Sequence, residues 1–291
     1  MKNTRQTVSI IFVILIIVSI LSYPCNAVTI FESNGYKYSR SSSTTADVYG
    51  RTATEPDVVI PKDFSEYYVK NIVDSAFEHD ENIVTVSFDK AILLERIGYY
   101  AFKDCTNLSG KVNFGGRINS IGVSAFENCK SLETVVFNSY ITNISDQCFY
   151  NCSSLNKVVI NSRVTSIGKY AFSNCTNLKE IEIPKSVTDI DSTAFNGDSE
   201  LTIQCYKDSY AEQFAKENNI EFELLDPILG DANFDGSVDV RDVTAIQKYK
   251  AGLTKLTKTG IRAADVTGDG EVSVRDATQV QRYLANIITD F

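Results

Sequence analysis

Between Ile72 and Leu201 the apolar positions of this chain recur with a period of 23 to 25 residues. A phenylalanine preceded by alanine, once by cysteine, stands at Phe77, Phe102, Phe126, Phe149, Phe172 and Phe195. Five residues before each lies an isoleucine (Ile72, Ile97, Ile121, Ile144, Ile167, Ile190), and six residues after each lies Ile83, Leu108, Leu132, Leu155, Leu178 or Leu201. Six turns in one register predict a solenoid, because a unit this short can bury its apolar side only against the next copy. Within a turn, a stretch such as Leu132-Glu-Thr-Val135-Val-Phe137 puts Val135 and Phe137 on one face of a short strand. The outward positions of those strands are then Thr85, Ser87, Lys111, Asn113, Thr134, Val136, Lys157, Val159, Glu180 and Glu182. After the last turn, Ser209-Tyr-Ala-Glu212 has the spacing of a capping box and predicts a helix to about Glu217, with Ile220-Glu-Phe222 covering the final apolar layer. Before the first turn, residues 41–45 read as a loop and Val58-Val-Ile60-Pro61 as an incomplete turn.

After residue 225 the pattern changes. Val240-Arg-Asp-Val243-Thr-Ala-Ile246-Gln-Lys-Tyr249 and Val274-Arg-Asp-Ala277-Thr-Gln-Val280-Gln-Arg-Tyr283 place apolar residues at i, i+3, i+6 and i+9, read as one stripe of an amphipathic helix. Each follows an acidic loop, Asp231-Ala-Asn233-Phe-Asp235-Gly236-Ser237-Val-Asp239-Val-Arg-Asp242 and, 34 residues on, Asp265-Val-Thr267-Gly-Asp269-Gly270-Glu271-Val-Ser273-Val-Arg-Asp276. Oxygen-bearing side chains at loop positions 1, 3, 5, 9 and 12, with glycine at the sharp turn of position 6, are what a hard cation requiring six to eight oxygens needs. Upstream, Asp226-Pro227-Ile-Leu-Gly230 contains a proline and a glycine and cannot supply an entering helix. The first unit is therefore expected to be a loop and an exit helix only.

This duplicated loop-helix unit, from Gly230 to about Ile288, resembles the type I dockerin. The resemblance implies two Ca2+ ions that fold the module. In the first loop they would be held by Asp231, Asn233, Asp235, the carbonyl of Ser237, Asp239 through water, and Asp242. In the second the set would be Asp265, Thr267, Asp269, the carbonyl of Glu271, Ser273 and Asp276. Thr267 replaces the usual Asn or Asp and Ser273 replaces an acid, so the second site is expected to be the weaker, since affinity rises with ligand charge. The resemblance also implies a partner, a cohesin domain of a scaffolding protein (scaffoldin), as in cellulosomes. The residues carried over for that contact are Val240, Arg241, Gln247 and Lys248 in the first copy and Val274, Arg275, Gln281 and Arg282 in the second. Their near identity would permit docking in two orientations related by a half turn. On the residues alone, the four cations are also readable as solvated side chains. The repeat Ile-Gly-x-x-Ala-Phe-x-x-Cys-x-x-Leu, seen at Ile121 and Ile167, resembles the BspA-like leucine-rich repeats over about residues 47–225. The expected fold class is thus a leucine-rich-repeat solenoid of short parallel strands with caps (28–225), a short linker (226–229), and a small all-α dockerin with two calcium-binding loop-helix units (230–291).

Composition fits this plan. Lys2 and Arg5 precede a charge-free run from Val8 to Leu21, too short to span a bilayer comfortably, and a polar region ending at Ala27. This reads as a signal peptide (1–27), and with no second apolar tail the mature protein is expected to be secreted, without a membrane span, and attached to a cell-surface or free multienzyme complex. Its removal takes the net charge from −9 to about −11, and no basic stripe is present, which argues against nucleic acid. Four of the six remaining cysteines, Cys105, Cys129, Cys152 and Cys175, stand three residues after successive phenylalanines and predict a buried ladder, with Cys148 and Cys205 also in the core. Stacked turns are within disulfide reach, yet their side chains point in parallel, so free structural thiols are expected. His79 is the only histidine and has no identifiable catalytic partner in the sequence, so it reads as a surface residue and no catalytic residue is assigned.

Three functions remain open at this point. The first is a non-catalytic component that docks through its tail and presents the strand surface to a protein or, less well in a chain without tryptophan, to a glycan. The second is a polysaccharide or peptide hydrolase, for which Glu180 and Glu182 would be the only acids on the strand face. The third is a cell-surface adhesin whose tail is only a calcium-stabilised clamp.

Overall fold

The computed structural model describes residues 28–225, 228–233 and 237–291. The segment read as a signal peptide, residues Asp226 and Pro227 of the expected linker, and Asp235 of the first loop lie outside them. The chain divides into two compact units, one ending at Lys179 and including Asp189–Glu200, the other formed by Glu180–Thr188 and Leu201–Phe291.

In the first unit each turn contributes two short strands, and both columns stack in parallel. One follows the leucine position: Asp57–Val59 pairs with Thr85–Ser87, and Leu132–Val136 lies between Gly110–Asn113 and Lys157–Val159 with Val112, Val135 and Val158 in register. The pairing of Asp57–Val59 makes residues 58–60 the incomplete first turn expected. The other column carries the isoleucines, with Ile72, Ile97 and Ile121 in one register and Ile144, Ile167 and Ile190 in another. Most strands of this second column are two residues long, too short for an alternating pattern to reveal them.

The six phenylalanines form a continuous stack in the core. From Phe77 to Phe195 neighbouring ring centroids are 4.9, 5.1, 5.6, 5.5 and 5.8 Å apart and nearly parallel. Phe88, Phe114 and Phe137 form a second column, with Phe88 and Phe137 meeting the first edge-on. Each such pair adds about 0.5–1.5 kcal/mol beyond its buried area. The cysteine ladder lies beside the stack, all six described cysteines being buried and free. The thiols of Cys105, Cys129, Cys152 and Cys175 donate to the carbonyls of Phe77, Phe102, Phe126 and Phe149 of the preceding turn, at 3.1 to 3.2 Å. Burial pushes these thiols up, that of Cys105 to about 12.

The same column ends in an acid on both sides. Asp80 occupies it in the first turn, where Arg51 grips both carboxylate oxygens at 2.6 and 2.9 Å and holds the carboxyl below its ordinary range. Asp198 occupies it in the last turn, 9% exposed, and among the described residues neither of its oxygens lies within hydrogen-bond geometry of a partner.

Two residues after each phenylalanine the chain turns through left-handed φ, at His79, Asp104, Asn128, Asn151, Asn174 and Gly197. Asn, Asp and Gly tolerate that conformation best. Their side chains join neighbouring turns: Asn151 Nδ2 donates to Asn128 Oδ1 at 2.6 Å, Asn128 Nδ2 to Asp104 Oδ1 at 2.6 Å, and His79 Nδ1 lies 3.1 Å from Asp104 Oδ2. His79 is exposed, as expected, but it does have a partner, and the contact is a rung of this ladder. Glycine is needed at position 122 because a Cβ there would lie 2.5 Å from the Gly98 carbonyl carbon of the previous turn.

An antiparallel sheet of Phe31–Ser33, Tyr36–Arg40 and Thr45–Arg51 covers the first turn. Its first hairpin turns at Asn34-Gly35, both with positive φ, the residue pair a type I′ turn favours. In the second unit Glu180–Glu182, Thr202–Cys205 and Glu221–Leu224 form a parallel sheet closed by helix α1, Tyr210–Glu217. Ser209 caps α1 as predicted, accepting from the Glu212 amide at 3.3 Å, while Glu212 reaches back to the amide of Asp208, one residue before the cap. The closing strand buries Leu224 most deeply and leaves Phe222 half-buried.

Candidate calcium loops and docking face

Three helices follow in the second unit: α2 (Val240–Lys250), α3 (Lys258–Ala264) and α4 (Val274–Leu284). Val243 and Ile246 of α2 meet Ala277 and Val280 of α4 in a small core closed by Ala232, Ala264, Val266 and Val272. Val240 and Val274, the first members of the stripes read above, are instead 68% and 62% exposed. Steps of three residues drift around a helix of 3.6 residues per turn, so positions i and i+9 end on opposite sides. Helix α3 was not anticipated. Its start is signalled by Thr257, whose hydroxyl accepts from the Gly260 amide at 2.9 Å. Glu223 of the closing strand accepts from the Thr259 amide and hydroxyl at 2.9 and 2.5 Å, and Thr259 is buried.

Loop positions 9 and 12 also form the helix starts. Asp239 and Asp242 make a reciprocal capping box at α2, and Ser273 and Asp276 make the same box at α4. Asp242 and Asp276 are fully buried, and in each the two oxygens accept amides from loop positions 3 and 9 at 2.8 to 3.0 Å. Burial alone would raise the Asp276 carboxyl, but donors from Thr267 and Ser273 outweigh it and hold it below its ordinary range.

The second loop is described throughout. Asp265 accepts the amides of Asp269 and Gly270 at 3.1 and 2.9 Å, which folds the loop around position 1. The Thr267 hydroxyl lies 2.8 Å from Asp276 Oδ1 and 3.4 Å from Asp265 Oδ1, so loop positions 1, 3 and 12 meet at one point. All these donors are oxygens, the set a hard cation takes. Among the described residues no three Asp, Glu, His or Cys side chains close around a common point, and the second loop converges through hydroxyls as well as acids. In the first loop, with Asp235 outside the described residues, Asp231 is buried and Asp239 is bound by Arg241 at 2.6 and 2.9 Å.

The eight residues expected to meet a partner all lie at the surface of the two helices. Val240, Arg241, Gln247 and Lys248 of α2 are exposed, and so are Val274, Arg275, Gln281 and Arg282 of α4. Phe291 belongs to the same module: its ring packs at a tilt on Tyr283, with centroids 4.8 Å apart, and a Cβ at Gly230 would strike both Phe291 and Val238 at 2.9 Å.

Glu180 and Glu182 project on the same side of one strand, where Gln204 Nε2 donates to Glu180 at 3.2 Å and the Tyr206 hydroxyl to Glu182 at 3.0 Å. Among the described residues no helix is long and apolar enough to cross a membrane.

A stacked parallel solenoid followed by two capped acidic loop-helix units defines a repeat protein with a dockerin-like tail. Residues 70–202 match the BspA type leucine rich repeat region in six copies, and residues 229–285 match the dockerin type I domain. The chain therefore joins a BspA-type leucine-rich repeat region to a type I dockerin domain, and both are non-catalytic modules. The dockerin match implies calcium-binding capacity. No curated protein matches the chain.

Among solved structures, the chain is similar to a leucine rich cell surface protein from Faecalibacterium prausnitzii, with 26% identity over 60% of this chain and 54% of that one, and a TM-score of 0.47. It is also similar to a leucine rich repeat protein of T. pallidum, with 21% identity over 60% of this chain and 70% of that one, and a TM-score of 0.36. A leucine-rich repeat protein from Bacteroides ovatus shares 17% identity over 66% of each chain, with a TM-score of 0.30. The chain spans about half the length of the Faecalibacterium protein.

Proposed function

We propose that this protein is a secreted, non-catalytic component that attaches through its C-terminal module to a cohesin of a scaffoldin, in a cellulosome-like assembly. Its leucine-rich repeats then present the outward strand positions to a protein or glycan ligand. The observation that carries this reading is the duplicated acidic loop, each copy ending in a capping box that starts a helix, within a stretch that matches the dockerin domain.

In this reading the module takes two Ca2+ ions, one held by Asp231, Asn233, Asp235, Ser237, Asp239 and Asp242, the other by Asp265, Thr267, Asp269, Glu271, Ser273 and Asp276. The cations supply folding energy to the loops. Each also neutralises carboxylates that would otherwise repel one another. The repeat domain occupies residues 28–225, the tail residues 230–291, and export uses residues 1–27. The partner face consists of Val240, Arg241, Gln247 and Lys248 with Val274, Arg275, Gln281 and Arg282.

Binding of the full chain to a panel of cohesin domains, with calcium and with chelator, tests the reading. Capture of at least one cohesin in calcium and release by chelator is the expected result. Capture of none at any calcium concentration leaves the tail as a stabilising clamp and refutes docking.

A further inference from the structure

A cavity of about 470 Å³ opens beside α2, between that helix and the segment leading to α3. Three cations, Arg241, Lys248 and Lys255, share its wall, and Ala232, Ala245 and Leu256 line it with apolar surface. The setting is unusual for this chain, whose net charge is −9. Arg241 binds Asp239, while among the described residues Lys248 and Lys255 make no ion pair. Lys248 and Lys255 are both exposed.

The second copy differs at this place. Its helix supplies the equivalents Arg275 and Arg282, but the 34-residue offset puts Thr289 where Lys255 stands and Phe291 where Thr257 stands. There Phe291 packs on Tyr283. The two helix faces are near copies, and the surfaces flanking them are not.

We propose that the Arg241, Lys248 and Lys255 cavity receives a carboxylate side chain from the cohesin-type partner and makes α2 the preferred docking face over α4. The inference rests on the docking reading given above. An acidic group entering this cavity meets two lysines on flexible stems, whereas on the α4 side the position equivalent to Lys255 is the uncharged Thr289. The pseudo-twofold choice of orientation is thereby biased, and Lys255 is the residue that sets the bias.

The test compares the full chain with its Lys255→Glu, Lys255→Gln and Thr289→Glu variants against the same cohesin panel in calcium, at low and moderate salt. If both faces were used equally, losing one would weaken binding only about twofold, the statistical weight of one of two equivalent modes. The expected result is a loss of about tenfold or more for Lys255→Glu, a smaller loss for Lys255→Gln, and a change within about twofold for Thr289→Glu. The wild-type advantage over Lys255→Glu should shrink as salt rises.

A cohesin that binds wild type and Lys255→Glu within about twofold overturns the cavity and its bias while leaving docking intact, as do equal losses for Lys255→Glu and Thr289→Glu. Absence of any cohesin binding by wild type overturns docking and this inference together. Displacement of a bound cohesin by dextran sulfate but not by polyglutamate would assign the cavity to sulfated polyanions and overturn the carboxylate assignment. Calcium-dependent melting of each variant, expected to match wild type, separates a lost contact from a lost fold.

Discussion

Replacing Asp198 should make the protein more stable, and more so the higher the pH. The carboxyl lies in the column that holds cysteine in four preceding turns, and burial pushes it up to about 7. The Cys175 amide and Lys179 pull the other way without restoring it. Lys179 is committed elsewhere, to Glu200 at 2.7 Å and the Thr176 carbonyl at 3.0 Å. A group whose folded value is raised from 3.8 to about 7 binds its proton more tightly in the native state. Stability is therefore full below the unfolded value, falls as pH rises between about 4 and 7, and stays reduced above. Three units correspond to about 4 kcal/mol, an upper bound that solvent relaxation would bring nearer 2. Asp198→Asn keeps the shape and removes the charge. A gain of about 2–4 kcal/mol at pH 8, shrinking to about 1 kcal/mol or less at pH 4.5, is expected from urea unfolding at the two pH values. In thermal melts at pH 8 the same gain appears as roughly 5–10 °C. A difference between wild type and variant that is the same at both pH values would refute the buried-charge account. Asp198→Cys extends the ladder and should behave as the asparagine variant does.

Three further outcomes follow from the packing. The six buried thiols should resist a water-soluble disulfide reagent at pH 8 in the native protein and all react in denaturant; fast reaction of any of the ladder cysteines when folded would contradict their burial. Phe126, stacked between Phe102 and Phe149 at 5.1 and 5.6 Å, should cost about 3–5 kcal/mol when changed to alanine, measured by chemical unfolding; a loss under 1 kcal/mol would mean the column collapses around the gap. Glu223→Ala leaves the buried amide and hydroxyl of Thr259 without their acceptor, and about 1–3 kcal/mol of stability should be lost, read as faster hydrogen exchange in α3; unchanged exchange would show that the contact does not hold that helix.

The solenoid was legible because its signal is repetition: Ile, Phe, Cys and Leu at fixed offsets name the layers of the core directly. Regularity also hid things. The isoleucine strands are too short to show alternation, and the cysteine column was read without its two ends, although Asp80 and Asp198 stand at the same offset from Phe77 and Phe195. That Asp80 is gripped by an arginine and Asp198 is not depends on Arg51, which arrives from a strand 29 residues earlier, beyond any local pattern. In the tail, loop spacing identified the oxygen donors. It could not show that positions 9 and 12 also start the helices, nor that Val240 and Val274 face outward. Helix α3 was overlooked because only seven residues carry it, and the cavity beside α2 because its wall joins residues of a loop, a helix and a connecting segment.

The rings, thiols and amides of the core all touch their counterparts one period away, so every junction along the array is nearly the same junction. Removing or adding one period of 23 residues would recreate contacts already present and shorten or lengthen the stack by a single strand spacing, about 5 Å. Reach is thus a quantity this architecture can adjust in small increments, leaving the terminal covers and the tail untouched.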